Sequence, residues 1–214
     1  VRDRSNSDPL TGLLNRAAFE DQLAQLFSQS GAGTAHALLM IDVDGFKNIN
    51  DTFGHQFGDR VLTDIAGGLR ATMRSGDLIS RIGGDEYMVC LKNVPADNGF
   101  LEKRAASIGI AFAKRFDGGV AVTASIGIAL YPRDGDTFTA LYRKADKALY
   151  YAKHHGKNRF VFYRDEMENE EANPSDPLVE EKDASGTNVQ TLLIANGTKE
   201  GRAALEKVFQ DDYR

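Results

Sequence analysis

The chain has no tryptophan, a single cysteine and only five prolines in 214 residues. One thiol, Cys90, set within an apolar run, rules out a disulfide framework and is expected to be a packing residue in a reducing cytoplasm. No apolar run approaches the length of a membrane span, and no signal-peptide pattern opens the sequence. It starts at Val1 without Met and is therefore expected to be a piece of something longer. Strong charge of one sign is also missing from the body: residues 1–164 hold 21 Lys and Arg against 18 Asp and Glu, whereas residues 165–214 hold 5 against 13. A mildly basic body suits phosphate-bearing small molecules and is a poor footprint for duplex nucleic acid. Nor is there a basic groove with interleaved aromatics of the kind that tracks single strands.

What is present is an alternation of helical and extended patterns. Residues 16–28 carry Phe19, Leu23, Leu26 and Phe27 at helical spacing, and a nearly unbroken apolar strand follows at 36–43. Helices are expected over 46–53, through Val61, Leu62, Ile65, Leu69 and Met73 to an end near Ser75-Gly76, over 99–116 and over 137–154. A hairpin is expected at 77–93, a strand at 120–130 ending before Pro132, and a last strand at 159–163. The order strand, helices, hairpin, helix, strand predicts a mixed α/β (α+β) domain with a ferredoxin-like sheet over residues 1–164. Residues 165–186 are acidic, rich in Asn, Pro and Ser, and read as a linker. Residues 187–214 offer one strand and one helix, too little to bury a core. They are expected either to begin a second, truncated domain or to dock back onto the first. They resemble the opening of a receiver domain, with Asn196-Gly197 where acids are usual.

Two acidic clusters punctuate the strands. Gly83-Gly84-Asp85-Glu86-Tyr87 joins two β-type runs, and glycine at the bend permits the positive φ that a tight turn needs. Adjacent carboxylates repel each other, so they make sense if something cationic sits there. The strand 36–43 ends in Asp42-Val43-Asp44, and alternation puts Asp42 and Asp44 on one face. Asp42 and Asp85 could converge on one hard divalent cation, and oxygen ligands of this kind favour magnesium. Read singly, each acid is also an ordinary solvated strand-end or turn residue.

These residues resemble the GGDEF family of diguanylate cyclases, with the signature here reading Gly-Gly-Asp-Glu-Tyr. The similarity runs from about Asp8 to Phe162. It rests on Asp8-Pro9-Leu10-Thr11-Gly12-Leu13-Leu14-Asn15-Arg16, on the run Asp42 to Asp51, on Gly54-His55 and Gly58-Asp59, on Ser125-Ile126-Gly127, and on Ala145 to Tyr150 with Ala152-Lys153. The resemblance implies a nucleotidyl-cyclase-like palm sheet with a central antiparallel hairpin and helices on both faces. It implies an enzyme that condenses two GTP into cyclic di-GMP plus two pyrophosphates, in the cytoplasm, across a homodimer. Asp42, the Val43 carbonyl, Asp85 and Glu86 would hold Mg²⁺ (or Mn²⁺), with Asp85 and Glu86 catalytic. Asn50 and Asp59 would read the guanine edge, with His55 and Gly84 near the substrate. Lys47, Lys153 and Lys157 would meet phosphates, the family commonly having Arg where Lys157 stands. Arg74, Asp77 and Arg81 match an inhibitory product site of the RxxD type. The alternative is a catalytically weak domain that binds GTP or cyclic di-GMP without turnover.

Overall fold

The computed structural model describes residues 6–95, 98–116 and 120–168. Helix α1 (Arg16–Gln29) begins at Asn15, whose side chain accepts from the Ala18 N–H and so caps the first turn. Strand β1 (His36–Val43) follows, then α2 (Phe46–Phe53) and α3 (His55–Thr72), separated by Gly54 alone. The hairpin is β2 (Leu78–Gly83) and β3 (Glu86–Leu91). Then come α4 (Asn98–Phe112), two short strands β4 (Lys114–Arg115) and β5 (Ala121–Val122), β6 (Ala124–Tyr131), α5 (Phe138–His154) and β7 (Phe160–Phe162).

The main sheet runs β2-β3-β1-β6-β7. Its first four strands are antiparallel to their neighbours, and β7 joins β6 in parallel. This is the ferredoxin-like arrangement, with a hairpin beside the central strand and helices on both faces. Odd-numbered residues of β1, such as Leu39 and Ile41, pack with Val61, Ile65 and Leu69 of α3 and with Ile108 and Phe112 of α4. Even-numbered Leu38 and Met40 pack with Phe19 and Leu23 of α1 and with Leu141, Ala145 and Ala148 of α5. Burial on both faces explains why β1 shows an unbroken apolar run. Helix α5 lies so close to β6 that a Cβ at Gly127 would collide with the Ala145 carbonyl and the Leu149 backbone.

Four expected boundaries shift. The helix expected through Val61 to Met73 begins already at His55 and ends at Thr72. The helix expected over 99–116 stops at Phe112, because Lys114–Arg115 pair with Ala121–Val122 in a separate two-stranded sheet. The strand expected over 120–130 breaks at Thr123, whose carbonyl and hydroxyl both turn to Asp44. Asp165–Glu168, assigned by composition to the linker, form a 3-10 turn that buries Met167. Its Glu168 pairs with Lys147 and Arg143 of α5, so these acids are fastened to the domain. The rest of the expected linker and the strand–helix segment 187–214 lie outside the described residues.

Candidate functional site

The two acidic clusters meet at one end of the sheet. In the antiparallel pairing of β1 with β3, Asp42 stands directly opposite Glu86. The Val43 N–H donates to the Asp85 carbonyl at 3.2 Å, which stitches the diglycine turn to the end of β1. Asp42 and Glu86 therefore share the face that carries α1 and α5. From α5, Lys153 reaches Asp42 with Nζ 2.7 Å from Oδ2. The Asp42 side chain is only 13% exposed. Burial pushes its carboxyl up to about 6, Asp85 and Glu86 push the same way, and Lys153 opposes them. A half-buried site with too much negative charge for its one lysine suits a hard cation bound through oxygen. Among the described residues no three acidic, His or Cys side chains form a closed metal cage. Two carboxylates plus a carbonyl would instead make an open donor set, of the kind magnesium uses when it shares its shell with phosphates.

The bend itself is braced from behind. Gly84 has φ 48°, in the left-handed region. Its carbonyl accepts from Nε and Nη2 of Arg81 at 2.9 and 2.7 Å. The same guanidinium donates through Nη1 to both Asp8 oxygens at 3.1 Å. Asp8 in turn accepts from the Thr11 N–H and hydroxyl, and these bonds lower its pKa despite its burial. Arg81 thus joins the opening turn of the domain to the turn that presents Asp85.

A second feature sits at the junction of α2 and α3. Asn50, in the last turn of α2, points Oδ1 inward, where it is buried without a hydrogen-bond partner. Leaving such an acceptor unpaired is costly, which marks it for something that binds there. A Cβ at Gly58 would collide with this same oxygen, so glycine is required for the close approach of the two helices. Asp59 follows Gly58 and is exposed, as are His55 at the start of α3 and Lys47 in the first turn of α2.

The structure brings Arg74 and Asp77 together but leads Arg81 away from them. The Asp77 side chain, 1% exposed, accepts from the backbone N–H groups of Arg74 and Lys92 and pairs with Arg104 at 3.4 Å. Arg74 is 48% exposed, donates to the Lys92 carbonyl, and lies over the Phe100 ring. Arg104 from α4 carried no signal in the sequence, because 27 residues separate it from Asp77.

Asp44 is the other residue whose part was not foreseen. It is on the predicted face, yet its oxygens are taken by the hydroxyls of Thr123 and Ser125, both at 2.7 Å, and by the Asn158 N–H at 3.0 Å. Lys157 is exposed, on the loop that these bonds fasten to the end of β1. The neighbouring Ser125-Ile126-Gly127 motif was the available hint.

Comparison with known proteins bears on the family and the fold. The family model described as "Diguanylate cyclase, GGDEF domain" matches residues 5–159. The bifunctional diguanylate cyclase/cyclic di-GMP phosphodiesterase MucR of Pseudomonas aeruginosa is 41% identical over 164 residues, covering 75% of this chain and 24% of MucR. The chain thus spans about a quarter of that relative's length. Among solved structures, the GGDEF domain of TpbB from Pseudomonas aeruginosa matches with a TM-score of 0.71 and 37% identity, over 76% of this chain and 96% of that one. The GGDEF domain of DgcB from Caulobacter crescentus, solved in complex with c-di-GMP, matches with a TM-score of 0.67 and 30% identity, over 76% and 98%.

Proposed function

Because the chain belongs to the diguanylate cyclase GGDEF family, we propose that it condenses two GTP into cyclic di-GMP with release of two pyrophosphates. The observation that carries this reading is the meeting of Asp42, Val43, Asp85 and Glu86 at one sheet end, with the Asp42 carboxyl raised by burial and, secondarily, by its acidic neighbours. Asp42, Asp85 and the Val43 carbonyl would hold Mg²⁺ (or Mn²⁺), with Glu86 beside them. Such an ion, when bound, acidifies the 3′-hydroxyl and neutralises charge on the transferring phosphoryl group.

The chain's own residues do the rest. Lys47, Lys153 and Lys157 bind the triphosphate, Lys153 exchanging its Asp42 partner for phosphate oxygen. The guanine edge presents adjacent N–H donors, which the Asn50 and Asp59 oxygens accept. Adenine offers a mismatched edge and would leave the buried Asn50 oxygen unpaired, so the site rejects it. Glu86 takes the proton of the 3′-hydroxyl as that oxygen attacks an α-phosphate and pyrophosphate departs.

One copy holds one GTP, so the attacking hydroxyl and the attacked phosphate belong to two facing copies. Dimerisation is then obligatory for turnover. Product returning to Arg74, with Asp77 behind it, would inhibit. Mass spectrometry of a GTP and Mg²⁺ reaction, run under forced dimerisation beside an ATP control, is the test. Cyclic di-GMP from GTP alone is expected, with loss of product in Glu86→Gln. Tight product binding without any turnover would instead favour the binding-module reading.

A further inference from the structure

Helix α5 ends in a loop whose backbone is held against its own preference. Lys157 and Asn158 have φ of 57° and 47°, two successive non-glycine residues in the left-handed region. Each such residue is disfavoured by the clash of its Cβ with the backbone and persists only where its surroundings impose it. Three bonds impose it here. The Lys157 N–H closes onto the Ala152 carbonyl at 3.0 Å. The Lys157 carbonyl accepts from Arg159 Nε at 3.1 Å, and the Asn158 N–H donates to Asp44 Oδ2 at 3.0 Å.

Both clamping groups are set firmly. Asp44 is braced by Thr123 and Ser125 at the end of β1, two residues beyond Asp42. Arg159 is 7% exposed, has no carboxylate within ion-pair distance among the described residues, and buries Nη1 without a hydrogen-bond partner. A buried guanidinium lacking a counter-charge is expensive, so its retention asks for a purpose. A Cβ at Gly156 would come within 2.9 Å of Nη2, so the loop is also shaped around this group.

We infer that Asp44 and Arg159 are positioning residues that act through the Lys157–Asn158 backbone to aim the Lys157 ammonium at substrate phosphate. This rests on the reading of Lys157 as a phosphate partner. Arg159 touches the carbonyl of Lys157 and Asp44 the next N–H, so the pair fixes one peptide from both ends. Lysine is a point charge on a flexible stem, and a pre-set backbone compensates for the missing planar fork of an arginine.

The test is equilibrium binding of GTP with Mg²⁺ and, separately, of guanosine, which has no phosphate. Asp44→Asn and Arg159→Gln are each made alone and combined with Lys157→Gln. Each single variant is expected to weaken GTP about tenfold while guanosine binds as before, and neither is expected to add loss once Lys157 is Gln. Equal weakening of guanosine and GTP would reduce the pair to structural support and overturn the inference. So would an undiminished loss in the Lys157→Gln background, with the phosphate reading of Lys157 left standing. GTP binding unaffected by Lys157→Gln would bring down that reading and the inference together. Should Arg159→Gln fail to fold, Asp44→Asn, which keeps one acceptor oxygen, decides the matter alone.

Discussion

Asp42 is where stability and chemistry oppose each other. Its carboxyl is pushed up to about 6 from the ordinary aspartate value of 3.8, chiefly by burial. An acid shifted upward binds more protons folded than unfolded between those values, so its ionisation destabilises the fold as pH rises through that window. The penalty is fully present above pH 6. Without divalent metal at neutral pH, Asp42→Asn should therefore stabilise the domain by roughly 1–3 kcal/mol, seen as a higher melting temperature. Magnesium should raise the melting temperature of the wild type and leave the variant's unmoved. Tyr87 is a milder case. Its hydroxyl donates to the Leu62 carbonyl at 2.9 Å inside the core. Tyr87→Phe removes that bond without leaving a donor stranded, and should cost about 1 kcal/mol, or some 2–4 °C in melting temperature, with turnover close to wild type.

At the scale of elements, the start of β2 and the end of β3 are tied by one carboxylate. Asp77 serves Arg74, Lys92 and Arg104 at once from a fully buried position. Asp77→Ala should cost about 3 kcal/mol, because it removes a carboxylate that pairs with Arg104 and leaves two backbone donors without their acceptor. Arg74→Ala, on an exposed side chain, should cost less than about 1 kcal/mol yet abolish binding of cyclic di-GMP in calorimetry. Loss of product binding in Asp77→Ala alone would report unfolding and not recognition. What the sequence revealed follows the range of the interactions. The hairpin, β1 and the acids at their ends were legible because an unbroken apolar run, a Gly-Gly bend and the alternation of Asp42 with Asp44 are local signals. The α2–α3 junction showed through Gly54-His55. The roles of Asp44 and Arg104 were hidden, since Asp44 meets partners 79, 81 and 114 residues away. The break at Thr123 has the same cause: a strand yields where one residue must serve a distant carboxylate.

At the scale of the whole molecule, the two ends of the central strand have opposite characters. One end gathers charge, whereas the other seals a neutral histidine. His36 is 1% exposed, accepts the Asn93 N–H on Nδ1 at 3.0 Å, and so carries its proton on Nε2 toward Ser30 Oγ at 2.8 Å. Burial lowers its pKa from 6.5, and nearby Lys92 lowers it further. A base depressed in the fold contributes stability that is complete above its unfolded value and is lost as pH falls through the folded one. Thermal melts from pH 7.5 to 5 should lose stability on acidification more steeply in the wild type than in His36→Gln. Asp42 acts with the opposite sign over the same range, so the comparison is made between these two proteins and not against a flat baseline. Among the described residues no helix is long and apolar enough to cross a membrane.

The central claim joins the two ends of this reasoning: acids from β1 and from the diglycine turn make one cation site that carries a guanosine nucleotide. Electron paramagnetic resonance of Mn²⁺ titrated into the protein with GTP tests it most directly, using Asp42→Asn, Asp85→Asn and the double variant. The account predicts a tight nucleotide-dependent Mn²⁺ signal that either single change removes and that the double change cannot diminish further. Tight binding that survives in either single variant, or losses that simply add, would contradict it.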